Sequence, residues 1–414
     1  MPTIQGVDSF QHRILPTAIN ATNGWYSNIN GGGTLPNHGG GGWSFDTGNA
    51  RTAAHAVAAK MVTDGAGTFG LRRTVATKTI VGGIYFKCSA APASGSVKLI
   101  NSGLSAGVVS VSLTSSGFIQ TKVGSGTAQT GSTNYCDGAW HLLDFKFDTT
   151  TGTATADSKV DGVTDPGAQA TLALATANMT SVMVGDNTAS PVVTVYFSDL
   201  AWSVTSGDYP LGHHICLGST INGTGTHNKG AGTWADELGG TSDANILDSV
   251  DDAWNGTTPE LSQTGEDYAV KSAGVTGTEY LEFTLEDANA AATSVWGANA
   301  GALIAALDST TANNQEYRLV DSGGTTLATP GAATDASISA TASSAYRAYP
   351  TAAPSGGWAS GYNGCLFRWG FTTDVTPNPV FNAAYVEYVG AWTPPASNTW
   401  TGIHTNDRSI YTTI

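Results

Sequence analysis

The 414-residue sequence contains no glutamate before Glu237. Glycosidases need two carboxyl groups that flank the scissile bond, one protonated and one ionised. The first half of the chain offers only aspartates for these roles, and most of them lie in predicted turns or on outward strand faces. The aspartates in the second part of this half of the chain are Asp137, Asp144, Asp148, Asp157, Asp161, Asp165, Asp186, Asp199 and Asp208. We therefore predict a binding or structural protein that is not an enzyme.

Cysteine is scarce, and no Cys-x-x-Cys pair occurs among Cys88, Cys136, Cys216 and Cys365. This spacing argues against a zinc site and against a redox motif. Cys88 has the same strand parity as Ile84 and Phe86, so we predict that it packs as a small buried hydrophobe. No Gly-x-Ser-x-Gly motif lies between a strand and a helix, so nucleophilic catalysis has no support in the sequence.

Long apolar runs and basic charge are also missing. The longest apolar stretch, Ala298 to Leu307, is far shorter than the ~20 residues of a membrane helix, and Met1 to Gln5 does not resemble a secretory signal. Residues 1–212 carry a net charge of −1 and residues 213–414 carry −14. Such an acidic surface repels nucleic acid and anionic membranes. We predict neither as a partner and expect a soluble protein made in a cytoplasm.

What the sequence has in abundance is the pattern of β-strands. Its 52 glycines and five Asn-Gly pairs are typical of short strands joined by tight turns. In Trp140 to Asp148 the alternation predicts residues 143, 145 and 147 inward and residues 144, 146 and 148 outward. Leu281, Phe283 and Leu285 are likewise predicted inward. Ala288 to Leu307 is rich in alanine but interrupted by glycines, so we predict a strand preceded by a loop.

The chain length favours two domains. The change from near-neutral to acidic composition falls close to Pro210-Leu211-Gly212, where proline and glycine would end a strand. We predict a first β-domain over residues 1–212, with an N-terminal arm of about 40 residues, and a second acidic β-domain over residues 213–392. A polar, proline-containing tail follows over residues 393–414.

Short motifs in the first domain resemble the laminin G-like, concanavalin A-like jelly roll. Asp137-Gly138-Ala139-Trp140-His141 matches the turn that enters a core strand in that family, and Val160-Asp161-Gly162 matches a following hairpin. Residues 182–201 resemble its closing strands. The resemblance implies an all-β fold, with a jelly-roll sandwich followed by a second β-sandwich.

The passage after the first domain is similar to virion proteins of tailed bacteriophages, over residues 40–392 in total. It includes Gly207 to Gly212, Asn222 to His227 and, later, Tyr317 to Gly324. This resemblance implies a minor tail or tail-tip protein, located in the virion, with other virion proteins as partners. It also implies a homo-oligomer, for which three-fold symmetry is our expectation. A capsid decoration or head-fibre protein is the alternative position.

One cue for ligand binding comes from aromatic residues among glycines near the N-terminus, namely Trp25, Tyr26 and Trp43. Such rings either stack on a sugar of the host surface or pack against neighbouring loops. The sequence leaves both alternatives open. No individual ligand-binding residue is predicted, and no catalytic, cofactor or metal residue is predicted either.

Several acidic residues and histidines are close together in the sequence and are further candidates for a catalytic or metal site. Glu279, Glu282 and Glu286 lie on one predicted strand, where a solvated face explains them. Aspartates at 157, 161 and 165 are about 13 Å apart when extended, too far to share one calcium ion. Loop acids at 248, 251 and 252 are closer, although their spacing is not that of an EF-hand. The adjacent His213 and His214 point to opposite strand faces and do not form a joint metal site.

From these observations we expect a non-enzymatic virion protein that adheres to host glycans. The alternative from another class is a polysaccharide depolymerase that uses a lectin-like fold. A third alternative is a secreted bacterial lectin. Apart from a calcium ion at the aspartate loop, the sequence suggests no cofactor.

Overall fold

A computed structural model describes residues 1–10, 27–28, 37–38, 41–66, 70–105, 107–185, 191–219, 221, 233–236, 269–272, 280–306, 314–328, 333–334, 344–348, 352–371 and 379–394. Within this part of the chain nearly all regular structure is β-strand, which confirms the predicted all-β fold class. No helix there has both the length and the hydropathy needed to cross a membrane.

The strands of the N-terminal half form two sheets. They are β1 (Ile4–Asp8), β2 (Ser27–Asn28), β3 (Asn37–His38), β4 (Gly41–Asp46), β5 (Ala58–Thr63), β6 (Leu71–Thr77), β7 (Thr79–Lys87), β8 (Ser96–Leu104), β9 (Gly107–Thr114), β10 (Ile119–Val123), β11 (Gln129–Thr130), β12 (Trp140–Asp148), β13 (Thr153–Val160), β14 (Val163–Thr164), β15 (Ala170–Ala173), β16 (Met179–Val184) and β17 (Val193–Ser203).

The first sheet has the order β14-β13-β12-β7-β17-β5-β4-β3, with β1 beside β17 and β15 beside β13. The second has the order β11-β10-β9-β8-β16-β6-β2. Phe86 and Phe197 of the first sheet and Leu99 and Val111 of the second belong to one buried core. The two sheets therefore face each other as a β-sandwich, and residues 4–8 of the predicted N-terminal arm are a strand of its first sheet.

The strands of the C-terminal half form two further sheets. They are β18 (His214–Ser219), β19 (Thr233–Asp236), β20 (Ala269–Ser272), β21 (Tyr280–Thr284), β22 (Ser294–Ala306), β23 (Asn314–Val320), β24 (Thr326–Ala328), β25 (Ala333–Thr334), β26 (Ser344–Ala348), β27 (Leu366–Phe371) and β28 (Pro379–Ala391). Among the described residues, one short α-helix, α1 (Trp358–Gly361), precedes a 3-10 turn at Tyr362–Gly364, and a further 3-10 turn lies at Ser206–Asp208.

The third sheet has the order β19-β20-β28-β22-β26, with β18 beside β28, and the fourth has the order β21-β27-β23-β24, with β25 beside β23. Their core includes Phe283, Leu319, Trp369 and Tyr388. Strand β22 confirms the strand prediction for the alanine-rich segment, and the inward positions predicted at 281, 283 and 285 are all buried. Residues 395–414 of the predicted tail lie outside the described residues.

The two sandwiches meet at a buried ionic cluster centred on Asp199 of β17. Its carboxylate accepts hydrogen bonds from Arg51 Nε at 2.6 Å, from His55 Nε2 at 2.9 Å and from the backbone N–H of Cys216 at 2.5 Å. The Arg51 guanidinium also lies over the Tyr85 and Trp392 rings, 3.8 and 4.4 Å from their centroids. Because Cys216 and Trp392 belong to the second half of the chain, one carboxylate joins both halves.

Strand β1 makes a second connection between the halves. Glu387 of β28 is fully buried and accepts hydrogen bonds from the backbone N–H and the hydroxyl of Ser9, just after β1. Asn299 of β22 donates to the backbone oxygen of Val7 at 3.0 Å. An apolar cluster that includes Val7, Val81, Leu211 and Val389 fills the space beside these polar contacts.

The junction explains one wrong prediction. Asp144 was predicted to face solvent, yet it is 1 % exposed. The connecting segment crosses the outward face of β12 at this point, and the Gly212 N–H donates to Asp144 Oδ1 at 3.0 Å. The alternation of β12 was predicted correctly, but the sequence did not show that part of its outward face is covered.

Candidate functional site: a cross-strand stripe of aromatic and basic residues

Five side chains form a row across the outward face of the first sheet, and we call this row the cross-strand stripe. The strand registers pair Trp140 with Lys87, Lys87 with Tyr196, Tyr196 with Lys60, and Lys60 with Ser44. Directly paired residues of neighbouring strands point to the same face of a sheet. Since strands are ~4.8 Å apart, five strands give the stripe a length of about 19 Å.

The opposite face identifies the direction in which the stripe points. Ala59, Phe86 and Phe197, which neighbour stripe residues along their strands, are buried in the core of the first sandwich. Side chains alternate between the two faces of a strand, so the stripe points away from this core. Ser44 is exposed, and the other four residues are partly exposed.

The stripe concentrates positive charge on an acidic protein. Lys60 and Lys87 flank Tyr196 on the two neighbouring strands, so their backbones are about 10 Å apart. Within the described part of the chain, neither lysine has a carboxylate within ion-pair distance. The Lys60 ammonium lies 6.0 Å from the centroid of the Tyr196 ring. Two unneutralised ammonium groups on a chain of net charge −15 indicate a surface suited to an anion.

The domain junction borders the stripe on one side. The next row of the same sheet face contains Tyr85, paired with Ser198 and Leu142. Tyr85 is buried beneath Arg51, its hydroxyl contacts His213 Nδ1 at 3.0 Å, and its ring meets the edge of Trp392 at 6.2 Å. The stripe therefore lies beside the contact between the two sandwiches. The exposed His213 lies between the stripe and the second sandwich.

A histidine held between two carboxylates lies next to the Trp140 end of the stripe. His141 Nδ1 is 2.7 Å from Asp161 Oδ2, and His141 Nε2 is 3.1 Å from Asp137 Oδ1. Burial by itself would lower the pKa of His141, but the hydrogen bonds and charges of the two aspartates outweigh it and raise the pKa. Both ring nitrogens donate when the ring is protonated, so this cluster stabilises an imidazolium.

The His141 cluster predicts a pH dependence of folding stability. A raised pKa in the folded state gives stability that is fully present below the unfolded pKa of about 6.5. This stability is lost as the pH rises through the folded pKa. We expect the free energy of unfolding, measured with denaturant, to fall as the pH rises above the unfolded pKa of about 6.5. The fall should be smaller in His141→Gln, and an identical pH slope in both proteins would contradict the assignment.

Of the three aromatic residues that the sequence singled out for ligand binding, only Trp43 is among the described residues. Trp43 lies on β4, is 8 % exposed and packs against Phe197 at 5.6 Å between ring centroids. Packing is therefore the correct alternative for Trp43. Trp25 and Tyr26 lie outside the described residues.

The acids and histidines singled out from the sequence are also accounted for where they are described. Glu282 pairs with Arg368 on the neighbouring strand, and Glu286 is exposed. His214 lies between the backbone oxygens of Gly212 and Asp199, at 2.8 Å from each. Asp165 is buried in a turn, while Asp157 is partly exposed on β13. Residues 186, 248, 251, 252 and 279 lie outside the described residues.

Among described residues, no group of three or more His, Cys, Asp or Glu side chains is placed to hold a metal ion.

The structure confirms the predicted burial of Cys88 and shows a contact between two cysteines that the sequence did not predict. Cys88 is fully buried, as predicted. Its sulfur nevertheless lies 3.1 Å from that of Cys136, which is 48 residues away in the sequence. The sequence spacing gave no sign of this contact, because strand pairing brings cysteines together that are distant in the sequence.

A separate cleft of about 290 Å³ lies between the N-terminal residues and the second sandwich. Trp296 and Trp358 line it together with Met1 to Gln5. None of its described lining residues has an acidic or basic side chain, which distinguishes the cleft from the stripe.

Comparisons with known proteins bear on the fold. No protein-family model and no curated protein matches the sequence. Similar solved structures include the cellulose-induced protein Cip1, at 16 % identity and TM-score 0.33, covering 41 % of this chain and 88 % of that one. An endo-β-1,4-glucuronan lyase from the fungus Trichoderma reesei has 13 % identity and TM-score 0.31, with 44 % and 94 % covered. An endo-1,3-β-glucanase from Streptomyces sioyaensis has 10 % identity and TM-score 0.30, with 48 % and 95 % covered.

At such identities the likeness concerns the fold alone, and it corrects one prediction. The sequence was taken to show that the chain is not an enzyme. That prediction is wrong as stated, because the solved structures similar to this chain include a lyase and a glucanase.

Proposed function

We propose that this protein binds an acidic polysaccharide across the first sheet, along the cross-strand stripe. The observation that carries the proposal is the alternation Trp140, Lys87, Tyr196, Lys60 along one row of a partly exposed sheet face. Aromatic rings present a flat apolar surface to the faces of sugar rings. Ammonium groups between the rings attract carboxylate, sulfate or phosphate groups.

The dimensions and the charge support a polymer rather than a single sugar. A stripe of about 19 Å offers contact to several sugar units in succession. Many modest contacts along one chain add up to a useful affinity. The second half of the chain carries a net charge of −14 and repels polyanions at long range. An anionic ligand is therefore favoured on the first sandwich, where the stripe places two lysines on either side of a tyrosine.

A comparison of two ligands tests this proposal. Binding of a uronic acid polymer is measured by calorimetry and compared with binding of the same polymer after its carboxyl groups are reduced to alcohols. We expect binding of the acidic polymer at least tenfold tighter. Equal affinity for the two polymers, or binding of neither, would overturn the proposal.

The same samples report on turnover. New reducing ends released from the acidic polymer over time would identify the chain as a depolymerase that holds its substrate on the stripe. Their absence, with binding retained, would leave a binding protein. The presence or absence of new reducing ends therefore distinguishes a depolymerase from a non-enzymatic binding protein.

We further propose the virion of a tailed bacteriophage as the setting of this binding, in a tail or tail-tip position or as a capsid decoration. Sequence resemblance over residues 40–392 is the sole support. Mass spectrometry of purified particles should find the protein in stoichiometric amounts together with other virion proteins. Its absence from particles, with glycan binding intact, would favour a secreted lectin.

A further inference from the structure

We propose that Cys88 and Cys136 are an oxidation site at which a small-molecule disulfide converts two thiols into an intramolecular cystine. The proposal is independent of the glycan proposal. It rests on the contact of the two sulfurs, on the different exposure of the two residues and on the local connections of the loop that carries Cys136.

The two cysteines are held next to each other by the backbone. Cys88 directly follows β7, and its backbone oxygen accepts a hydrogen bond from Gly138 N–H at 2.9 Å. A second hydrogen bond holds the loop that carries Cys136, from Tyr135 N–H to Gly117 O at 2.9 Å. The sulfurs are 3.1 Å apart, and a disulfide bond is about 2.0 Å long. An approach of about 1 Å therefore completes the bond.

The two thiols differ in a way that assigns their roles. Cys136 is partly exposed and Cys88 is fully buried, so an oxidant in solution reaches Cys136 first. The Cys136 thiol donates a hydrogen bond to the Cys88 sulfur. This contact raises the pKa of Cys136 and lowers the pKa of Cys88, although burial opposes the lowering. Cys136 therefore takes part in the first exchange because it is accessible, and Cys88 takes part in the second because it lies beside the Cys136 sulfur.

The chemistry has two exchange steps. The first step is the slower one, because the contact with Cys88 keeps the Cys136 thiol protonated. When this hydrogen bond opens, Cys136 loses its proton to solvent, and its thiolate attacks one sulfur of an oxidised thiol such as glutathione disulfide. A mixed disulfide forms, and one thiolate of the oxidant leaves. Cys88 then loses its proton to solvent, its thiolate attacks the Cys136 sulfur, the protein disulfide forms, and the second thiolate leaves. The two departing thiolates take up two protons from solvent. The protein loses two hydrogens and two electrons, and the oxidant is reduced to two thiols.

The crosslink would act on the Trp140 end of the cross-strand stripe. Lys87 is the residue before Cys88, and the loop from Cys136 leads into β12 at Trp140. Closing the bond fixes this loop to the end of β7. Secreted and particle-bound proteins meet oxidising conditions, in which such a bond persists.

The proposal is tested by counting the free thiols of the protein before and after oxidation, and by trapping the mixed disulfide in cysteine variants. All four cysteines are free in the reduced protein. After incubation of the folded protein with glutathione disulfide, we expect two thiols by titration in denaturant and a peptide map that joins Cys88 to Cys136. Cys88→Ser should instead accumulate glutathione on Cys136, because the resolving thiolate is gone. Cys136→Ser should keep Cys88 unmodified.

A matched control and a stability measurement complete the test. Cys365→Ser should still form the crosslink, because Cys365 lies in the other sandwich. Oxidation should raise the melting temperature of the wild type by about 5 °C or more, and a reductant should reverse the rise. Four thiols after oxidation, glutathione that stays on wild-type Cys136, or a different cysteine pairing would overturn the proposal.

Discussion

Replacing Asp199 by asparagine should lower the free energy of unfolding by about 3–5 kcal/mol, since removal of one partner leaves a buried charge uncompensated. The change keeps the size of the side chain but removes the charge that Arg51 and His55 face. Both partners are almost fully buried, so water does not replace the lost interaction. Denaturant unfolding followed by tryptophan fluorescence measures the effect.

The matched control is Asp148→Asn, an aspartate of the same sheet whose carboxylate bonds to the exposed Thr150. We expect a loss of about 0.5 kcal/mol or less there. A loss below about 1 kcal/mol in Asp199→Asn would contradict the view that this carboxylate joins the two halves.

The pH dependence of the Asp199 cluster has the opposite sign to that of the His141 cluster. Burial by itself would raise the pKa of Asp199, but Arg51 and His55 hold the pKa well below its usual range. A depressed pKa gives stability that is present above the unfolded pKa of about 3.9 and is lost as the pH falls. Wild-type stability should therefore decline below about pH 4 more steeply than that of Asp199→Asn.

The double variant Lys60→Gln/Lys87→Gln should weaken binding of the acidic polymer by about 30-fold or more, since each charge-assisted contact contributes about 1 kcal/mol or more and 1.4 kcal/mol is a factor of ten. Glutamine keeps most of the side-chain length and removes the charge. Calorimetric titration with the uronic acid polymer measures the change.

The control for this prediction is Lys78→Gln/Lys122→Gln, which removes the same two charges from exposed positions outside the stripe. Its affinity should stay within about twofold of the wild type, because exposed charges further away than a Debye length of about 10 Å are largely screened. An equal loss of affinity in both double variants would show that net charge, and not the stripe, governs binding.

The sequence predicted the local structure of the stripe but not its assembly. Alternation identified β12 over Trp140 to Asp148 with its inward and outward residues, because side-chain periodicity is local information. The row itself depends on the order β12-β7-β17-β5, which brings together residues as distant as Lys60 and Tyr196. Strand order and register are set by the whole fold, so pattern analysis of single strands did not reveal them.

The same limit explains the other sites that sequence reasoning missed. Asp199 stands in β17, where the pairing with β7 is irregular between Ser198 and Ala201, and its φ of 55° is unusual. A bulge re-aims a side chain relative to the regular alternation, and here the carboxylate meets Arg51 from a distant loop. The Cys88 to Cys136 contact similarly depends on β7 pairing with β12.

A crystal structure of the protein with a bound uronic acid oligosaccharide tests the central claim most directly. We predict a sugar chain that runs across β12, β7, β17 and β5, with rings against Trp140 and Tyr196. Its carboxylates should lie within hydrogen-bond distance of the ammonium groups of Lys60 and Lys87. An oligosaccharide bound instead in the cleft of Trp296 and Trp358, with the stripe unoccupied, would contradict the account.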